Sequence, residues 1–483
     1  MVLFTLGQLL IIEAILLLLP AGVSFYYSEN TVWHFLFTAA LAGTIGSLLM
    51  LIFRKRSNVI YAKEGFAIVA LAWVLMSAVG ALPFCISGEI PSYIDAFFET
   101  VSGFTTTGAS IIPNVEKLSR GILFWRSFTH WIGGMGVLVF VMAVLPSVSN
   151  RSIHIIRAEM PGPIIGKLVP RAKDTAKILY LIYIGLTVVE AVMLMAGGMP
   201  KFDSVIHTFG TAGTGGFGIK ADSIAGYSPY CQWVITAFMF LFGLNFNLYF
   251  LLLVRRFKSF FKNTELWVYL GITLASMGII AWNIHSIYGN VADSVRNSAF
   301  QVTTVMSTTG YATCDFDMWP ALSKAILLIL MFMGSCAGST AGGLKISRVI
   351  ILFKLCRNEL KHMMNPKSVN AVRYDGKQVD SSVLKNTGNY FVIYILCFIA
   401  IFLLLSADPY PATTAFSPME TNFAATTACF NNIGPGFGAV GPMFNYSGYS
   451  VFSKLLLSFA MLLGRLELFP MLLLFSHRLW RKK

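Results

Sequence analysis

The chain has 483 residues, 56% of them hydrophobic and only 12% charged, with a mean hydropathy of +0.70. That balance excludes an ordinary soluble domain, where charged residues make up about a quarter of the chain, and points to a polytopic, all-α membrane protein. The net charge of +14 does not signal nucleic acid, because the basic residues gather in the loops on one side.

From the amino terminus, the apolar run from Leu3 to Tyr27 is too long for a signal-peptide core and lacks a basic leader, so it is expected to be retained as a spanning helix. A span needs about 20 apolar residues, and ten stretches qualify, at about 3–26, 33–53, 66–87, 121–146, 178–198, 231–254, 266–287, 321–345, 388–406 and 451–476. An even number places both termini on one side. The gaps 54–65, 147–177, 255–265 and 345–387, with the tail after Ser476, hold 27 of the 36 Lys and Arg but 7 of the 22 Asp and Glu. The positive-inside rule makes these gaps and both termini cytoplasmic, and anionic membrane lipid is the expected contact of the basic loops. Seven scattered cysteines form no CxxC pair and read as packing residues rather than a disulfide or metal framework.

The four long outer gaps share a pattern. Each opens with about ten moderately apolar residues, too few to span, and reaches a Gly- or Thr-rich turn. Aligning "YIDAFFETVSGFTTTGAS" with "VRNSAFQVTTVMSTTGYA" places Gly108 opposite Gly310 and Glu99 opposite Gln301. The same register puts Gly216 of "KFDSVIHTFGTAGTGGFG" nine residues after His207, and makes Gly434 the matching glycine of "ETNFAATTACFNNIGPGFG". The chain therefore divides into an amino-terminal hairpin, 1–58, and four repeats at 59–150, 170–262, 263–350 and 380–483.

A short apolar segment followed by polar irregular backbone reads as a re-entrant half-helix and return loop, tolerated at membrane depth only where protein buries it or it lines a water-filled cavity. Four such loops on one side most economically surround a common axis. Consecutive inward carbonyls with threonine hydroxyls below them replace the hydration shell of a monovalent cation, and glycine permits the positive φ that aims them. The candidate rows are Thr106, Thr107, Gly108 and Ala109; Thr214, Gly215, Gly216 and Phe217; Thr308, Thr309, Gly310 and Tyr311; and Asn432, Ile433, Gly434 and Pro435.

Two further stretches stand out. The eighth span holds "MGSCAGSTAGGLK", with Gly334, Ser335, Gly338, Ser339, Thr340, Gly342 and Gly343. Each interior glycine costs a helix about 1 kcal/mol relative to alanine, which argues for a break, whereas the spacing of Gly334, Gly338 and Gly342 also fits a GxxxG packing face; the residues alone leave both open. The tenth span holds Arg465 and Glu467 in "GRLELF", and an intramembrane arginine must meet water, a carbonyl or a partner. No paired acids, His cluster or nucleophile with a base suggests an enzyme, and no nucleotide-binding fingerprint lies in a suitable context.

With "TTTGAS" first, "STTGYAT" third and "NNIGPGFG" last, the repeated unit resembles the superfamily of K⁺ transporters comprising TrkH, KtrB and plant HKT proteins, over essentially the whole chain. The resemblance implies a K⁺-channel-like fold fused into one polypeptide, K⁺ uptake across a bacterial inner membrane, and K⁺ rather than a resident cofactor at the filter. It favours K⁺ because Gly108, Gly216, Gly310 and Gly434 are all glycine, while the uneven rows imply weaker discrimination against Na⁺; symport with H⁺ or Na⁺, and a non-selective K⁺/Na⁺ channel, stay open. It also implies that the third repeat's second helix is broken by a loop obstructing the pore, that Arg465 stands beside that loop, that the protein is a homodimer, and that a TrkA-like ring of nucleotide-binding subunits regulates it from the cytoplasm; the basic loops, 345–387 above all, are the expected place for such a ring to dock, to be tested by charge reversal at Lys354, Arg357 and Lys361.

Overall fold

The computed structural model describes residues 1–54, 62–136, 172–367, 371–408 and 416–477. The inner end of the expected span 121–146, most of the basic gap 147–177 and the basic tail from residue 478 lie outside the described residues.

Helices α1 (Val2–Leu16) and α2 (Leu18–Tyr26) run on as one apolar segment and pack against α3 (Thr31–Ile52). The crossing is close: a β-carbon on either Gly7 or Gly46 would stand 2.7 Å from the other's carbonyl oxygen, the small-residue contact by which helices approach in lipid. There follow α4 (Ala62–Gly80), α5 (Leu82–Ile86), α6 (Tyr93–Phe104), α7 (Arg120–Gly134), α8 (Ala172–Ala196), α9 (Lys201–Gly213), α10 (Pro229–Phe242), α11 (Phe246–Leu253), α12 (Phe257–Phe261), α13 (Thr264–Tyr288), α14 (Val291–Met306), α15 (Ala321–Met333) and α16 (Ile346–Met364). A two-stranded hairpin, β1 (Arg373–Tyr374) with β2 (Lys377–Gln378), precedes α17 (Ser381–Ala407), α18 (Pro418–Phe430), α19 (Val451–Arg465) and α20 (Phe469–Leu474).

Four times, a long helix leads to a short one (α6, α9, α14, α18), an extended loop and a second helix. Side-chain caps start two of the four short helices: Ser92 Oγ accepts from Asp95 N at 3.3 Å and Asn290 Oδ1 from Ala292 N at 3.0 Å, satisfying donors that a helix N-terminus leaves free.

Among the described residues, six helices are long and apolar enough to cross a membrane, or seven if one bent pair counts as a span, against the ten expected of the whole chain. Residues 137–146 of the fourth expected span lie outside the described residues; the rest of the difference has one cause. The expectation was one broken helix, in the third repeat, whereas the second helix of every unit stops early. Helix α7 ends before Gly136 (φ 81°), α10 turns by 90° into α11, α15 ends at Gly334 (φ 64°), and α19 ends at Arg465 ahead of Glu467 and Leu468, both at positive φ. The expected continuous spans 231–254 and 451–476 are thus each two helices. Only 28% of the apolar window of α3, α13 and α17 is buried by protein, leaving Phe37, Leu48, Leu51, Trp282, Leu396 and Leu403 exposed. Apolar surface so extensive is stable against hydrocarbon rather than water.

Candidate cation site

The four short helices end alike. Thr106, Thr214, Thr308 and Asn432 all adopt left-handed backbone (φ 54–57°), and the glycine two residues on, Gly108, Gly216, Gly310 or Gly434, also has positive φ (75–95°). In each case the left-handed residue's N–H returns to the carbonyl three residues back and the next N–H to the carbonyl five back, as in Thr106 N to Gly103 O at 3.1 Å and Thr107 N to Ser102 O at 2.9 Å. This is a Schellman cap with threonine or asparagine where glycine is usual, at a cost of about 1–3 kcal/mol in strain. Four copies of one strained cap show that the backbone path past each helix is held in common register.

The loops meet in a ring. A β-carbon on Gly108 would stand 2.0 Å from Gly215 O, one on Gly216 1.9 Å from Thr309 O, one on Gly310 2.0 Å from Ile433 O, and one on Gly434 2.7 Å from Thr107 O. Each glycine abuts the carbonyl just before the next unit's glycine, and the fourth returns to the first. The first three residues of each row, Thr106–Gly108, Thr214–Gly216, Thr308–Gly310 and Asn432–Gly434, are therefore brought together. At the lower end, Thr106 Oγ1 and Asn432 Oδ1 are buried with no hydrogen-bond partner. Orphaned buried oxygens of this kind are rare unless a ligand takes them, and they suit a dehydrated cation.

The rows differ in ways the sequence does not show. Thr107 Oγ1 is held by Thr105 Oγ1 at 2.8 Å and by Asn432 Nδ2 at 2.9 Å, and Thr214 Oγ1 bonds back to Gly213 O at 2.6 Å. Tyr446 Oη donates to Gly434 O at 2.7 Å, so one glycine carbonyl carries a hydrogen bond from the protein.

Behind the loops lies a buttress. The buried pair Arg126 Nε–Glu99 Oε1 is 2.6 Å long; Glu99 also accepts from Ser110 Oγ and Ile111 N, while Arg126 Nη1 donates to Gly218 O at 2.8 Å. One ion pair thereby ties the first return loop to the second. At the same register, His207 contacts the hydroxyls of Tyr311 and Tyr227, and Gln301 donates to Thr313 Oγ1 at 3.4 Å. The fourth unit has Ala425 there, and its bracing comes from Tyr446 instead.

Residues 334–345 are not helical. Gly334, Gly338 and Gly343 have positive φ, which a GxxxG packing helix does not allow. The segment lies against the ring: Gly342 N donates to Thr308 Oγ1 at 2.7 Å, and a β-carbon on Gly342 would be 2.5 Å from Asn431 O. Ser335 Oγ donates to Met306 O at 2.7 Å and Thr340 Oγ1 to Phe242 O at 3.3 Å, while Ser339 Oγ bonds locally to Cys336 O. Arg465 donates through Nη1 to Thr340 O at 2.6 Å and through Nη2 to Gly133 O at 2.5 Å and Gly134 O at 2.8 Å. It spans the loop and the broken end of α7. Glu467 is not its partner; it pairs with Arg348.

Sequence reasoning missed Arg126, Tyr446, Lys345, Glu265 and the Arg348–Glu467 pair. Arg126 was discoverable, since it is an arginine inside an apolar stretch, the signal that marked Arg465. Glu265 gave none: it sits at a helix start, where acidic residues are common for dipole reasons, yet it accepts from Ala337 N at 2.7 Å and Ser347 N at 3.1 Å, one within the loop and one in the helix that follows it.

Residues 33–482 match the sequence model of the TrkH family, described as cation transport proteins. The chain is 36% identical to the Trk system potassium uptake protein TrkH of Salmonella typhimurium over 99% of this chain and 98% of that one, and 33% identical to the Trk system potassium uptake protein TrkG of Escherichia coli over 98% and 97%. The crystal structure of the potassium transporter TrkH from Vibrio parahaemolyticus superposes with a TM-score of 0.89 at 30% identity, covering 99% of each chain. The chain belongs to the TrkH family of cation transport proteins and is a transporter, not an enzyme.

Proposed function

We propose that this protein carries K⁺ inward across the bacterial cytoplasmic membrane through the ring of Thr106–Gly108, Thr214–Gly216, Thr308–Gly310 and Asn432–Gly434. The observation that carries the proposal is the closed ring itself, in which four glycines in one register each stand against the carbonyl of the next unit. K⁺ is the cargo suited to it, as relatives of this chain such as TrkH of Salmonella typhimurium and TrkG of Escherichia coli are named as potassium uptake proteins. In this reading the four units are pore repeats with re-entrant loops within ten membrane crossings, some made by broken helices, with both termini cytoplasmic. The loop 334–343 is the gate, held by Arg465. Transport needs no resident cofactor: an inside-negative potential supplies about 2.3 kcal/mol per charge per 100 mV, enough for roughly 50-fold accumulation.

Two features support weaker K⁺ over Na⁺ discrimination than a symmetric channel: the Tyr446 bond to Gly434 O and the Asn432 bond to Thr107 Oγ1. Removing the first with Tyr446→Phe returns a full lone pair to the fourth carbonyl. A net hydrogen bond is worth about 1 kcal/mol, so the K⁺ concentration for half-maximal uptake is expected to fall about fivefold. An unchanged value in inserted protein removes Tyr446 from the selectivity apparatus.

The proposal extends to a homodimer and a TrkA-like cytoplasmic regulatory ring. Lys354 donates to Arg373 O and supports the hairpin, which leaves the exposed Arg357 and Lys361 as docking charges. The deciding experiment is the zero-current potential of proteoliposomes under opposed K⁺, Na⁺ and H⁺ gradients. A potential tracking K⁺ alone fits channel-like uptake, one shifted by H⁺ or Na⁺ gradients shows coupling, and no cation current overturns the reading.

A further inference from the structure

Outside the ring and its gate, a cavity of about 150 Å³ lies among the starts of α11, α13 and α16 and the β1–β2 hairpin, lined by Asn245, Asn263, Glu265, Ser347, Tyr374 and Asp375 beside Leu248 and Leu251. One water needs only about 10–15 Å³ by the same measure, so the space admits an ion with part of its hydration shell. Two carboxylates face it. Glu265 is 3% exposed and receives the N–H groups of Ala337 and Ser347, and Asp375 receives Thr264 N at 2.8 Å and the Asn263 amide at 3.5 Å. Independently, Tyr374 is 4% exposed and its hydroxyl is buried without a hydrogen-bond partner. Burial first, and then the charges of Glu265 and Asp375, push that hydroxyl well above its ordinary range, so it stays a neutral phenol whose oxygen has lone pairs to give. The nearby cations are otherwise engaged: Lys354 Nζ donates to Arg373 O at 2.9 Å and lies 5.7 Å from the Tyr374 ring centroid, and Lys345 Nζ donates to Ala341 O at 2.5 Å.

We infer that this cavity is a regulatory site for a monovalent alkali cation, K⁺ or Na⁺, which ties the hairpin to Glu265 and thereby to the gating loop and the helix that follows it. Hard oxygen donors in a site only partly occupied by carboxylate suit such an ion. A divalent ion of the Mg²⁺ type demands near-ideal octahedral geometry and gives up water reluctantly, and here both carboxylates already serve backbone N–H groups. Because Glu265 holds the loop at Ala337 and the helix that follows it at Ser347, filling the site stabilises the loop in its place against Thr308. The inference rests on the reading of this face as cytoplasmic; the site then senses the ion that the transporter delivers.

The test is hydrogen exchange on the full chain in nanodiscs, in KCl, NaCl or N-methyl-D-glucamine chloride at equal ionic strength, read at residues 371–379 and 263–266, which do not touch the ring. Where closing outpaces chemical exchange, so that the rate follows the open population, binding slows exchange by about tenfold at ten times the dissociation constant. The expected result is such protection by K⁺ or Na⁺ in the natural protein, lost in Tyr374→Phe and in Asp375→Asn, with the protecting salt identifying the ion. Equal exchange in all three salts, which needs no variant, overturns the site, as does protection undiminished in both variants. Exchange at residues 103–110 separately reports cation in the ring. Its indifference to K⁺, with the hairpin still protected, strikes the transport proposal and leaves this one standing.

Discussion

Deleting residues 334–343 and replacing Arg465 with alanine are each expected to raise basal cation flux, and the two gains are expected not to add. The deletion is sterically available because the ends of the segment already meet: Leu344 N donates to Phe332 O at 3.2 Å, and a β-carbon on Gly334 would stand 2.6 Å from Leu344 O. Rejoining Met333 to Leu344 therefore removes the obstruction without pulling α15 from α16. The arginine acts on the same element. Its Nη1 bond to Thr340 O and Nη2 bonds to Gly133 O and Gly134 O are charge-assisted, worth about 1.5–3 kcal/mol each, so their loss favours the displaced loop by about tenfold or more. With the loop gone, the Nη1 bond to Thr340 O is gone with it, and most of the gain is present in the deletion. The measurement is a double-mutant cycle on flux normalised to inserted protein. Additive gains uncouple arginine from loop; lower flux in all three variants assigns both features to packing and sinks the gate.

The second large effect is expected at the ring. Gly108→Ser places a side chain on backbone with φ 81° and a β-carbon 2.0 Å from Gly215 O. The first loop must retreat from the second, and the retreat displaces a ligand carbonyl while adding a competing hydroxyl. Preference for K⁺ over Na⁺ is expected to fall about tenfold, the equivalent of roughly 1.4 kcal/mol. Gly218→Ala is the control, since its β-carbon meets nothing nearer than 3.7 Å, and its preference is expected to stay as in the natural protein. Unchanged relative uptake in folded, inserted Gly108→Ser counts strongly against this row as the filter.

Much of this architecture is local, and local features are legible in a chain. Spans, the four short segments and the glycine register depend on hydropathy and spacing over twenty residues or fewer, and the sequence alone determined which glycines correspond and that Arg465 and the 334–345 segment were exceptional. What it did not determine was contact between units. Whether Gly334, Gly338 and Gly342 packed a helix or broke one depended on what stood opposite, and that proved to be Thr308 Oγ1 and Asn431 O, distant in the chain and brought near by the ring. The breaks in the other three second helices escaped notice because apolar residues continue through them, and hydropathy does not distinguish a straight helix from one bent by 90°. The partners of Arg465 are backbone carbonyls, present at every residue and so invisible to any side-chain pattern. Composition and periodicity thus point to the apolar stretches and to the segments that correspond; only close packing between distant parts of the chain decided which loop oxygens are already held and which are left without a partner.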